Sequence, residues 1–99
     1  MQLPELYAAI NEAMQGSFTA DLAATFARRA KELASLAVSA VGPIDPTGQA
    51  SEASVALEDK ILALYEAEGT DAFAELHDSL LNLRSAITRH DGASSPGAG

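Results

Sequence analysis

The stretch 73-FAELHDSLLNLRSAI-87 decides the fold. Phe73, Leu76, Leu80, Leu83 and Ile87 follow a 3-4-3-4 spacing, which sets their side chains on one stripe of an α-helix and gives no strand-like alternation. Such a seam covers about two heptads, too few for an independent coiled coil but enough for one face of a bundle. The remaining chain must therefore supply the helices that cover it.

Immediately upstream, Gly69 suits a helix C-cap and Thr70 an N-cap. They divide the seam helix, expected over 71–90, from a third helix expected over 52–68, after Ser51 or Ser54. Leu57, Ile61, Leu64 and Tyr65 share one face of that helix, with Val55 and Leu62 beside it. So short a joint permits either a tight hairpin or a bent rod. Further back, 42-GPIDPTGQAS-51 contains two prolines and two glycines. Bundle connections usually run about 2–8 residues, so this stretch either crosses the end of a bundle or stays mobile.

A long second helix is expected over 19–41, with Ser17 or Thr19 as N-cap and Asp21 in its first turn. Ala23, Ala27, Ala30, Ala34, Ala37 and Val41 form a row of small residues along it, flanked by Leu22, Phe26, Leu33, Leu36 and Ala40. Small residues let a neighbouring helix approach closely while bulkier ones fill the flanks. A short first helix, over 4–15, carries Leu3, Leu6, Tyr7, Ile10 and Met14 and ends at Gly16. Residues 91–99, DGASSPGAG, read as a flexible tail or the start of a tether. The expected fold is all-α: one domain over 1–90, a small bundle of about four helices. A modest core of this kind gains from dimerisation, and a homodimer is expected.

Composition narrows the function. Ninety-nine residues make one domain, which buries roughly 65% of the surface its unfolded form exposes. The formal net charge is −8, and between Glu52 and Asp78 eight acids face one base, Lys60. Arg28, Arg29 and Lys31 form the only basic cluster. Nucleic-acid affinity rests on Lys and Arg displacing counterions, so neither nucleic acid nor an anionic membrane is an expected partner. There is no cysteine, which removes disulfides and thiolate sites. No basic leader or long apolar run opens the chain, and the expected location is cytoplasmic.

Motifs for chemistry are sparse. Neither GxxxxGK[ST] nor GxGxxG occurs, no calcium loop is present, and no Glu stands three residues before His77 or His90, as a di-iron bundle would need. No metal or cofactor is expected, and no enzyme activity. One word stands out: Glu75, Leu76, His77, Asp78, Ser79, Asn82 and the Ala86–Ile87 pair. It resembles the phosphoacceptor helix of one class of two-component sensor histidine kinases. The resemblance implies that His77 would take a phosphoryl group, Asp78 would assist it, and Asn82 would help water remove phosphate from a regulator. On a helix Asp78 and Asn82 share a stripe. The chain departs from that family in the acidic run before the word and in having Asn82 where Gln is usual.

The leading expectation is a noncatalytic protein-binding module, an adaptor, inhibitor or secretion-type chaperone that masks or docks an apolar helix of a partner. Phe73, Leu76, Leu80, Leu83, Ile87, Phe26 and Leu33 are the expected partner or dimer contacts. A structural subunit of a phage or secretion assembly is one alternative, and a histidine phosphotransfer or dimerisation helix using His77 is the other.

Overall fold

The computed structural model describes residues 3–94, with side chains through Asp91. Four helices account for most of this length: α1 (Leu3–Gln15), α2 (Ala20–Ser39), α3 (Gln49–Glu68) and α4 (Asp71–Ser94). No strand occurs among the described residues. The chain is thus a small all-α bundle. Of the expected tail, 91–94 continue α4, and 95–99 lie outside the described residues.

Neighbouring pairs define the arrangement. α2 packs most extensively on α4, α4 on α3, α3 on α1 and α1 on α2, so the helices form a square in which α2 and α3 occupy one diagonal. Lys31 reaches Glu75 and Gly42 meets His90, so α2 and α4 run in the same direction. Glu58 meets Arg84 across the Gly69–Thr70 joint, so α3 and α4 are antiparallel. The molecule measures 44 × 20 × 20 Å, whereas α3 and α4 laid end to end would need about 66 Å. They form the hairpin, not the bent rod.

Local chemistry explains the helix limits. Thr19 is the N-cap of α2, its Oγ1 accepting from the Leu22 amide at 3.3 Å. α2 stops at Ser39 because Ala40 turns extended, short of the expected Val41, which is fully exposed. Gly69 adopts φ 68°, a left-handed conformation that closes α3 as its amide donates to the Tyr65 carbonyl. α3 begins at Gln49, three residues before its expected start at 52, because a side chain from the preceding loop caps it.

The core follows the sequence periodicity. Phe73, Leu76, Leu80, Leu83 and Ile87 are all at most 1% exposed, and the buried Ala23, Ala27, Ala30, Ala34 and Ala37 line α2. Alanines without long side chains are what permit the close α2–α4 approach. At the opposite end from the long connection, Phe18 stacks on Phe26 and Phe73, with centroids 6.2 and 5.5 Å apart. A loop residue there completes what α1, about 20 Å long, leaves open.

Charge divides by layer. α1 and α3 carry Glu5, Glu12, Glu52, Glu58, Asp59, Glu66 and Glu68 against Lys60 alone. α2 and α4 nearly balance, with Arg28, Arg29, Lys31, Arg84 and Arg89 among Asp21, Glu32, Asp71, Glu75, Asp78 and Asp91.

Candidate functional site

The connection between α2 and α3 crosses the bundle diagonally, and three side chains fix it. Asp45 caps α3: its Oδ1 accepts from the Ala50 amide at 3.2 Å, and its Oδ2 from the Ser51 amide at 2.9 Å and the Ser51 hydroxyl at 2.8 Å. Asp91, from α4, accepts the Ile44 and Asp45 amides, each at 2.8 Å. His90 Nε2 donates to the Gly42 carbonyl at 3.0 Å. Partial desolvation raises the Asp45 carboxyl, but hydrogen bonds from Ser51, Ala50 and Gly48 outweigh it and hold the group below its ordinary value.

Pinning the loop fixes Pro43 and Ile44 over the end of the bundle. Between them and the helices lies a cleft of about 290 Å³, lined by Leu3, Pro4, Leu33, Leu36, Ala40, Pro43, Ile44 and Leu83. Every lining residue is apolar. Leu36 is 61% exposed. The cleft's volume sits at the small end of the roughly 300–1,000 Å³ of small-molecule sites. It suits one or two anchoring side chains.

A second constellation is internal. Glu58, only 4% exposed, accepts from the buried Ser54 hydroxyl and from Arg84 Nη2, the latter at 3.0 Å. The Tyr7 hydroxyl points into this cluster, yet neither it nor Arg84 Nε has a hydrogen-bond partner of acceptable geometry. Burial raises the Tyr7 hydroxyl above its ordinary value; the adjacent Ser54 hydroxyl opposes this, and the Glu58 carboxylate adds to it. A carboxylate held by one guanidinium and one hydroxyl inside the bundle is closed to substrate. Its hydrogen bonds join α3 to α4, with the Tyr7 ring of α1 packed beside them.

Residues expected from sequence distribute differently. Phe26 and the five seam residues are buried within one chain, and Leu33 is half-buried. The seam is therefore covered by α2 and not presented to a partner. Asp78 and Asn82 do share a face, in a shallow hollow with Lys31, Glu75 and Ser79. His77 turns away from it, with its side chain 19% exposed and Nδ1 3.9 Å from Asp78 Oδ1. The three residues do not converge on one open position. No group of three potential metal ligands occurs among the described residues.

Sequence reading missed the residues that shape both sites. Ser54 and Glu58 stand seven and three positions before Ile61, on the same helical stripe, a spacing that marks them as inward-facing although the sequence offered Ser54 as a cap and Glu58 as one of the acids. Asp45, His90 and Asp91 gave no comparable signal, because their partners lie far away along the chain. No helix is long and apolar enough to cross a membrane among the described residues. The chain matches no protein-family model, no curated protein and no solved structure.

Proposed function

We propose that this chain is a noncatalytic protein-binding module that seats an apolar segment of a partner protein in the cleft at the crossover end. The cleft is lined by apolar residue types alone, with Leu36 exposed at its rim, and this is the observation that carries the reading. Apolar side chains left in water on a fixed frame gain from burial by a partner, and the frame here is held by the hydrogen bonds of Asp45, His90 and Asp91. A segment of another protein fits this reading better than a second copy does. The seam that a homodimer was expected to bury is already covered within one chain.

The test is comparative capture from a lysate of the source cells with tagged wild type and tagged Leu36→Asp. Leu36 is exposed, so the variant keeps its fold, checked by circular dichroism. A protein retained by wild type and lost by the variant supports the proposal. Identical retention by both, or recovery of the chain alone in large assemblies, overturns it.

A further inference from the structure

A different face of the bundle exposes aliphatic side chains among acids. Glu52, Val55, Asp59, Leu62 and Glu66 lie along α3 at 3-4-3-4 spacing, and all five are exposed. Acid and aliphatic residues alternate on that one stripe. Val55 is 47% and Leu62 37% exposed. None of the three acids stands in an ion pair with a described residue; the carboxylates that pair with Arg or Lys are Glu32, Glu75 and Glu58.

The α3–α4 hairpin sets what lies beside this stripe. Val55 and Leu62 are three before and four after Glu58, so they share the side of α3 that Glu58 turns toward Arg84. Leu81 is three before Arg84 and occupies the matching side of α4. It is half-buried yet not packed on the bundle core. In the antiparallel register fixed by Glu58 and Arg84, Leu81 falls opposite Leu62. Val55, Leu62 and Leu81 thus lie on the outside of the hairpin, with the neutralised Arg84–Glu58 pair at the level between Val55 and Leu62 and the three exposed acids along α3.

We infer that this outer face docks a cationic amphipathic helix, one carrying aliphatic residues at 3-4 spacing with lysine or arginine on the flank that meets Glu52, Asp59 and Glu66. Charge complementarity selects this occupant over a second copy. A second copy meeting this face with its own would set Glu52, Asp59 and Glu66 against like charges, whereas a cationic flank is attracted to them. Aliphatic contacts supply affinity, and the acids supply orientation and rate of encounter. The inference goes beyond the cleft and is independent of it.

The experiment measures binding of fluorescent helical peptides to the full chain by anisotropy. The probes are a leucine-seam peptide flanked by lysines, the same seam flanked by glutamates, and a scrambled lysine peptide of equal composition. The lysine-flanked helix binds, weakens as salt screens the acids, and loses about tenfold in affinity with Leu62→Asp or, as a second single variant, Val55→Asp. The triple variant Glu52→Lys, Asp59→Lys, Glu66→Lys transfers preference to the glutamate-flanked peptide. Leu36→Asp leaves this binding unchanged, which separates it from the cleft. Equal binding of the scrambled peptide, loss on Leu36→Asp instead of Leu62→Asp, or Leu62-dependent self-association without peptide binding each overturns the inference.

Discussion

The two long sides of the bundle are held by opposite means. α2 meets α4 through alanines set against a leucine-rich seam, whereas α1 and α3 close around Tyr7, Ser54 and Glu58, with Arg84 reaching in from α4. The first contact gains from apolar burial with little polar group to desolvate. The second gives up part of that gain to keep the Glu58 carboxylate out of water beside a part-exposed guanidinium. The difference is a division of labour: the α2–α4 contact is apolar, and the polar cluster ties α3 to α4 through Glu58 and Arg84.

Substitutions that break one side at a time sharpen this comparison. The largest loss is expected from Leu80→Ala, fully buried in the seam, which leaves a cavity and lowers unfolding free energy by about 2–5 kcal/mol in urea titration. Glu58→Ala strands Ser54 and Arg84 and costs about 2–3 kcal/mol, at or below the usual value for a broken buried pair because the Arg84 side chain is 37% exposed. Replacing both partners, as Glu58→Leu with Arg84→Met, recovers most of that loss if the cluster serves register more than stability. Failure of the double variant to recover would make the pair a net stabiliser.

The crossover comes next. Asp45→Ala removes the α3 cap and costs about 1–2 kcal/mol. Because the folded carboxyl of Asp45 lies below its unfolded value of about 3.9, its contribution is complete above that pH and disappears as pH falls through the folded value. Stability measured against pH should show this acid limb in the wild type, and Asp45→Asn should flatten it. Lys31→Met, which removes the exposed bridge to Glu75, should change stability by less than about 1 kcal/mol.

How much of this was legible in the sequence follows the same division. The seam, the alanines of the α2 row and the Gly69 stop are local patterns and appear where periodicity and capping chemistry put them. Of the two expected caps Thr19 is used, and Val41, the expected last member of the row, lies past the end of α2 and is exposed. The candidate sites depend on contacts between distant positions. Asp91 looks like the first residue of a polar tail, and only the fold brings it to Ile44 and Asp45. Phe18 lies in a short connection without periodicity, yet its ring fills the far end. Leu36 belongs to an apolar row in the sequence, and only the diagonal crossing leaves it open beside a cleft.

The most direct test of the binding role is site-specific photo-crosslinking in the source cells, with a benzophenone side chain placed at Leu36 and, as control, at the exposed Arg28. The account predicts a discrete heterologous crosslink from position 36 that is absent from position 28. No crosslink from position 36, or the same products from both positions, would contradict it.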